Sequence, residues 1–554
     1  MSEAESSWVQ RAADDAIEHA HRAGAGKIVC ASGVSPSGPI HLGNLREVMT
    51  AHFVAEEIRA RGLDAVHLHS WDDYDRFRKV PAGLDEGLAG HVGRPLAEIP
   101  DPYGELDSYA SHFIAEFKAS LARLGVTMHE IRQSVQYPRG AYNPEIRRAM
   151  DRRGQVFDIL EDFQTAGRHG APARERRAGY YPFKPYCESC HADFTTVTSY
   201  AGETVTYACR CGHRGEMTLA DGAVISGKLA WKVDWPMRWV HEQVDFEPAG
   251  EDHHAPSSSY ASGRVLVAGI FGGTAPYSFP YSFVGLAGGS SKMSGSAGGA
   301  TIPATALDVL EPAVLRWLYL RRTPSQSFTI DLSPRAVQRL YDEWDQFTGR
   351  ASAADAAPAD RNVYERCVRT SAGEVEHAGR PVPFRLLASA ADLTQASPGQ
   401  MARLVRQHLP GDSGVPGDTD LLADLEPRLT CAVNYATRLL PPEERTTIRA
   451  GFNDEAWQRM DDQIRKGVQM LDDRLGDAWT LDGLTSLVYG IPKLLNGLAE
   501  DAPATPELKK SQRAFFAALY RLLVSADTGP RLPTLLLSIG RDRAHELLTG
   551  QVPS

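Results

Sequence analysis

Apolar side chains at Trp8, Val9, Ala12, Ala13, Ile17 and Ala20 recur at helical spacing, and Gly24 and Gly26 end the helix they predict. Residues 27–30 (KIVC) read as a short buried strand that runs into the turn-rich stretch 32–38 (SGVSPSG). Good helix formers follow from His41 to Arg61, and 65–69 (AVHLH) reads as a second strand. Strand, glycine turn, helix, strand is the pattern of a βαβ unit in a nucleotide-binding α/β domain. A long stretch, about 80–227, interrupts it with helices around 108–124 and 144–163 and then a cysteine-rich piece. Strand character returns at 264–268 (RVLVA) and near 283–286. From Thr305 onward the periodicity is helical, at 312–321, 334–348, 453–475 and 509–525, with linkers at 351–360 and 412–418. No fixed-period repeat is present. The predicted architecture is an N-terminal α/β half carrying an insertion, followed by an all-α half.

Composition narrows the class. The chain has 554 residues with 59 basic and 70 acidic side chains, a net charge of −11, which suits about three to five domains. Apolar residues at 42% exclude a disordered chain. No apolar run approaches the length needed to cross a bilayer, and the first residues lack the basic flank and apolar centre of a secretory signal. Seven cysteines are too few for a disulfide scaffold, and four of them cluster. A soluble cytoplasmic protein is expected. The acidic balance excludes indiscriminate coating of nucleic acid but leaves room for a local basic groove.

Three motifs carry candidate chemistry. In 35–44 (SPSGPIHLGN), Gly38 and Gly43 allow close approach of backbone to a ligand, and the following helix offers free N–H groups to phosphate, with His41 and Asn44 as further donors. Alone, the stretch reads more readily as a serine–proline turn capping a helix, and its glycine spacing fits neither the Walker A loop nor the Rossmann dinucleotide fingerprint. In 292–296 (KMSGS), a lysine on a glycine-rich loop can neutralise charge as pyrophosphate leaves. Cys187-x-x-Cys190 is followed, after 18 intervening residues, by Cys209-x-Cys211-x-His213, a spacing that suits a closed, structural zinc site.

Together, the HLGN turn and the KMS loop some 250 residues later resemble the paired motifs of class I aminoacyl-tRNA synthetases. The stretches 70–81 (SWDDYDRFRKVP), 99–104 (IPDPYG), 229–239 (LAWKVDWPMRW), 251–253 (EDH), 279–283 (FPYSF), 515–523 (FFAALYRLL) and 529–532 (GPRL) are similar to the class I lysyl-tRNA synthetase family, the form typical of archaea and some bacteria. The resemblance implies a Rossmann-like catalytic domain (1–80 and 228–305), an insertion with a zinc-binding knuckle (81–227), a helical stem-contact region (306–390) and an all-helical anticodon-binding domain (391–554).

It further implies ATP-dependent ligation of L-lysine to tRNA(Lys) through lysyl-adenylate, by a monomer that needs no membrane. A paralogue activating an amino acid for another acceptor, and an inactive tRNA-binding protein, are the alternatives. Catalytic roles fall on His41, Asn44 and Lys292. ATP-binding roles fall on these and on Pro36, Ser37, Gly38, Gly43, Met293 and Ser294, with Mg²⁺ arriving on the nucleotide. Substrate-binding roles fall on Gly33, Ser35, Asp73, Trp231, His253 and Tyr281, with Asp72 as a rival to Asp73 because adjacent residues point opposite ways. The family's zinc ligands match Cys187, Cys190, Cys209 and His213, with Cys211 an alternative fourth ligand. A second family zinc site is expected to be lost, since Asp101 and His112 remain but Glu105 and Leu106 replace its Cys and His. Gly295 and Ala297 also depart from the family's loop, leaving Lys292 without a second cation. Arg403, Arg406, Arg465 and Lys466, like 147–153 and 174–177, are conceivable phosphate contacts that a solvated helix face explains equally well.

Overall fold

The structure, a computed structural model, describes residues 6–163, 172–287 and 301–551, apart from 381, 407–408, 410–416, 500–502, 504 and 525. It divides into two units, one of Met1–Leu307, Pro312–Leu332 and Phe347–Glu376, the other of Asp308–Glu311, Ser333–Gln346 and His377–Ser554.

In the first unit, helix α1 (Trp8–Ala23) starts on Ser7, whose hydroxyl accepts the Gln10 N–H, and stops at Gly24, which adopts the left-handed conformation that glycine takes without strain. Strand β1 (Ile28–Val34), helix α2 (Leu42–Ala60) and strand β2 (Ala65–Trp71) form the expected βαβ unit. The strands pair in parallel from Ile28–Ala65 to Val34–Trp71, and β3 (His129–Arg132) adds in parallel to the outer side of β2. Beyond β1 the sheet continues through single parallel bridges from Cys30 to Phe246 and from Phe246 to Tyr277. The spatial order is therefore β3, β2, β1, the Phe246 segment and the Tyr277 segment. This is the doubly wound order of nucleotide-binding α/β folds.

The piece between β3 and the Phe246 segment carries its own small sheets. Strand β4 (Phe183–Pro185) pairs antiparallel with β8 (Gly227–Leu229), and between them β5 (Thr195–Ala201), β6 (Thr204–Cys209) and β7 (Arg214–Thr218) form an antiparallel meander. Helix α3 (Trp231–His241) follows β8 at once. The regular elements among the second unit's described residues are all helices, around a core that includes Leu471, Val488, Leu519, Leu535 and Leu547. No helix among the described residues is long and apolar enough to cross a membrane.

Several expectations are corrected. Residues 264–268 are not a strand; they belong to helix α4 (Ser259–Leu266) and the wider turn that continues it. A short apolar run reads alike for a buried strand and a buried helix, and here Gly263 sits hard against the Trp239 ring. The fourth sheet position is instead supplied near Phe246, where flanking acids hid the strand. The Asp245 carboxylate accepts the Val29 N–H at 2.9 Å and the Glu247 carboxylate accepts the Trp239 indole N–H at 2.7 Å, so both acids are consumed inside the fold. The predicted helix at 144–163 breaks at Arg152, and that at 453–475 breaks before Asp461, which caps the second piece through the Ile464 N–H. The expected linker at 351–360 already contains the first turn of the helix Pro358–Val368. Most of the 412–418 linker and the whole KMSGS loop lie outside the described residues.

Three histidines lie buried behind the β1–β2 pair. The Ser32 hydroxyl bridges His67 Nε2 at 2.8 Å and His69 Nδ1 at 2.7 Å, and His52 Nε2 lies 3.2 Å from the Arg316 guanidinium. Burial drives all three imidazoles toward the neutral form, His69 down to about 4, and Arg316 adds to the effect on His52. Unfolded, each would take up a proton near its ordinary value of 6.5. Between pH 6.5 and about 4 the unfolded chain therefore binds more protons than the folded one, and stability falls as pH falls. The urea midpoint of the first unit should be insensitive to these groups above about pH 7.5. The unfolding free energy should decline below pH 6.5, by up to about 1.4 kcal/mol per pH unit for His69 alone, and the midpoint with it. Replacing His67 and His69 by glutamine should flatten that slope.

Candidate active site and cysteine knuckle

The strand order reverses between β1 and the Phe246 segment, because successive strands are laid down on opposite sides of β1. Loops leaving the carboxyl ends of these two strands diverge there and leave a crevice, the position at which open α/β sheets bind ligands. One loop is 35–41 and the other begins with Glu251–His254. Ser35 from the first and His253 from the second line a single cavity of about 710 Å³, together with Asp72 after β2 and Trp231 at the start of α3.

The 35–41 loop ends in a capped helix. His41 Nδ1 accepts the Gly43 N–H at 3.1 Å, and Asn44 Oδ1 accepts the His41 N–H at 3.3 Å. Burial lowers the His41 imidazole to about 4, so it is neutral at neutral pH. With Nδ1 accepting, the proton must sit on Nε2, which leaves His41 a neutral N–H donor at the positive end of α2, a favourable setting for phosphate. The Tyr109 hydroxyl fixes the loop by donating to the Ser37 carbonyl at 3.0 Å. Lys292, Met293 and Ser294 lie outside the described residues. Their downstream flank is placed, however: the Leu42 N–H, next to His41, donates to the Thr301 carbonyl at 3.0 Å.

Of the expected substrate residues, Ser35, Trp231 and His253 line the cavity. Trp231 is 37% exposed and lies parallel to Trp235, with centroids 5.4 Å apart. Gly33 and Tyr281 do not line that cavity but meet on one carboxylate, Glu47, within electrostatic reach of the cavity-lining Asp72. The Gly33 N–H donates to Glu47 Oε1 and the Tyr281 hydroxyl to Glu47 Oε2, both at 2.8 Å. Burial raises the Glu47 carboxyl to about 8 against the pull of these donors, and among the described residues no cation faces it. Glu47 was invisible to the sequence reading; the available signal was an acid inside α2, a helix buried almost all round.

Asp73 is a correction. It is fully buried, accepts from Arg132 Nε at 2.6 Å and from the Ser134 N–H at 2.9 Å, and so ties β2 to β3 instead of facing the cavity. Asp72 is the residue of the pair that lines it. Burial works to raise the Asp72 carboxyl, but Arg238 at 2.8 Å and Lys228 at 4.0 Å outweigh this and hold it below its ordinary value. Lys228 in turn bonds Asp75 at 2.5 Å and lies 3.5 Å from Asp234.

Cys187 and Cys190 lie in the turn after β4, Cys209 ends β6, and Cys211 lies in the turn before β7. Their sulfurs all fall within 4.8 Å of one another. The Cys187–Cys211 and Cys190–Cys209 separations are both 3.7 Å. Four thiolates around a tetrahedral ion at about 2.3 Å would be roughly 3.8 Å apart, so the donors fit a metal of zinc's size and softness. Cys211, not His213, completes the group. His213 Nε2 lies 3.8 Å from the Glu188 carboxylate, while the His213 N–H helps lower the Cys211 thiol to about 7. In the 101–112 turn, the Asp101 carboxylate accepts the N–H groups of Tyr103, Glu105 and Leu106 and faces His112 Nδ1 at 3.2 Å. As purified, the chain should carry one tightly held metal ion in elemental analysis. Cys211→Ser should lose most of it, and His213→Ala should retain it.

The comparisons agree with this geometry. Residues 6–374 match the family model described as tRNA synthetases class I (K). A lysine–tRNA ligase of Streptomyces coelicolor is 45% identical, covering 98% of this chain and 98% of its own length. One from Pyrococcus horikoshii is 31% identical over 96% of this chain and 97% of its own, and one from Treponema pallidum 30% identical over 98% of each. With its parallel sheet, its capped turn before α2 and the cavity at the strand reversal, the chain belongs to the class I lysyl-tRNA synthetase family.

Proposed function

We propose that this crevice joins L-lysine to tRNA(Lys) at the expense of ATP, in two steps through lysyl-adenylate. In the first step the lysine carboxylate attacks the α-phosphorus of ATP, an O–P bond forms, and pyrophosphate leaves with the electron pair of the bond that breaks. His41, as a neutral Nε2–H donor, and Asn44 hold phosphate oxygens at the α2 terminus, and Lys292 neutralises the departing charge. The nucleotide brings Mg²⁺ with it. In the second step the terminal ribose 2′-hydroxyl attacks the adenylate carbonyl and AMP leaves. The helical unit is assigned to the anticodon arm, and the four cysteines to one structural zinc ion.

The observation that carries the lysine reading is Glu47. A carboxyl held by two neutral donors and, among the described residues, by no ion pair, and raised by burial to about 8, is short of one positive charge. The ε-ammonium of lysine supplies it, and Trp231 offers a face for the methylene stem. Asp72, already neutralised by Arg238 and Lys228, is the weaker acceptor.

ATP–pyrophosphate exchange across a panel of amino acids tests the reading, and exchange that lysine does not stimulate would overturn it. Glu47→Gln should raise the lysine KM about a hundredfold with a smaller change in kcat, because the lost charge pair is a binding contact. Trp231→Ala should raise it at least about tenfold, from lost stem packing. Below pH 8 the empty Glu47 is protonated, and an arriving ammonium expels that proton. Calorimetry at pH 7 in buffers of different ionisation heat should therefore show lysine binding releasing up to about one proton. Glu47→Gln should abolish that release.

A further inference from the structure

Helix α3 places Trp231, Trp235 and Trp239 one turn apart, so the three indoles share a face and form a ladder. Trp231 and Trp235 lie within 13° of parallel, centroids 5.4 Å apart, and Trp235 and Trp239 meet at 4.9 Å with their planes tilted by 59°. The first rung lines the cavity, whereas Trp235 and Trp239 are buried behind it. His253, also in the cavity lining, meets the ladder at Trp235, with centroids 5.5 Å apart.

Ring contacts alone do not fix how such a ladder is tilted, because stacked and edge-to-face pairs tolerate offset and rotation. The fixed point is a carboxylate. Glu247, buried on the Phe246 segment, accepts the Trp239 indole N–H at 2.7 Å, and the Trp235 indole N–H bonds the same carboxylate. Burial raises the Glu247 carboxyl, against the Trp235 indole, the Arg238 charge and the Trp239 indole. The residue is anchored through its backbone as well, its N–H donating to the Tyr277 carbonyl at 3.1 Å. Two indole donors on one anchored carboxylate set the rotation of two rungs at once. From α4, the Tyr260 ring packs 5.6 Å from Trp239, and a Cβ on Gly263 would stand 2.8 Å from the Trp239 ring, so the second and third rungs have little room to turn.

We infer that Glu247 is a positioning residue for lysine: acting through Trp235, it sets the plane of the Trp231 ring on which the substrate's methylene stem lies. The inference rests on the lysine reading proposed above and adds a residue that does not itself line the cavity. A stem gains its contact energy at van der Waals distance and forfeits much of it across a gap of about 0.5–1 Å, so a tether on the second rung is felt at the first. The Arg238 guanidinium, 5.5 Å from the Trp231 centroid and held by Asp72 at 2.8 Å, flanks the same ring.

The test is a double-mutant cycle in the full-length chain, read by lysine-dependent ATP–pyrophosphate exchange. Glu247→Leu removes both acceptor oxygens, and Glu247→Gln keeps one. The lysine KM should rise about fivefold in Glu247→Leu and less in Glu247→Gln, with kcat and the KM for ATP within about twofold of wild type, a split that also reports an intact fold. In a Trp231→Ala background, Glu247→Leu should add less than about twofold, because a residue that acts through Trp231 then has nothing left to position. The near-ultraviolet circular dichroism of the stacked indoles should fall in Glu247→Leu and be partly kept in Glu247→Gln. Should Glu247→Leu not fold, Glu247→Gln carries the same cycle. An unchanged lysine KM would overturn the inference, and so would effects that multiply in full in the double variant. A parallel rise in the KM values for lysine and ATP would overturn it too, leaving Glu247 a residue of the fold alone. Wild type without lysine-dependent exchange, or Trp231→Ala with an unchanged lysine KM, overturns the lysine reading itself, a separate readout.

Discussion

The parallel pairing of Cys30 with Phe246, on the side of β1 away from β2, is the contact on which the site depends. It reverses the direction in which strands are added, and two loops that are more than 200 residues apart then open away from the same edge. Ser35 and His253 share a cavity for that reason. The pairing is short, and it is reinforced by side chains: Asp245 takes the Val29 N–H, and Glu247 takes the Trp239 indole, so the acids lock the strand they would otherwise disfavour.

Charge is handled in two ways within a small volume. Asp72, Asp75 and Asp234 are matched by Lys228 and Arg238, a buried network in which each group has an opposite partner, and it behaves as fixed scaffolding. Glu47 has hydrogen bonds and no ion pair among the described residues, and burial raises its carboxyl to about 8. The contrast separates a carboxylate that builds the site from one that waits for a ligand.

The insertion contributes more than a cluster of four thiols. Its cysteine turns fold back on the β5–β7 meander, Cys187 N–H donating to the Ala192 carbonyl at 3.0 Å, and this places Asp193 and β5 as a wall of the cavity. The cysteine turn and the cavity wall are thereby joined through Asp193.

Local order was legible in the chain. The βαβ unit at 28–71 shows as two short apolar runs around a glycine turn and a helix, and the thiol pairs show in their spacing, because such features are set by neighbours within a few residues. The capped turn at His41 and Asn44 was legible as well. The strand near Phe246, the helix over 259–266, the choice of Asp72 over Asp73, the entry of Cys211 in place of His213, and the whole role of Glu47 were not. Each turns on which distant group meets a side chain: Arg132 takes Asp73, Trp239 takes Glu247, and Gly33 and Tyr281 take Glu47. Periodicity reports whether a position is buried, whereas the partner that makes a buried charge tolerable comes from another part of the chain, and only the folded arrangement specifies it.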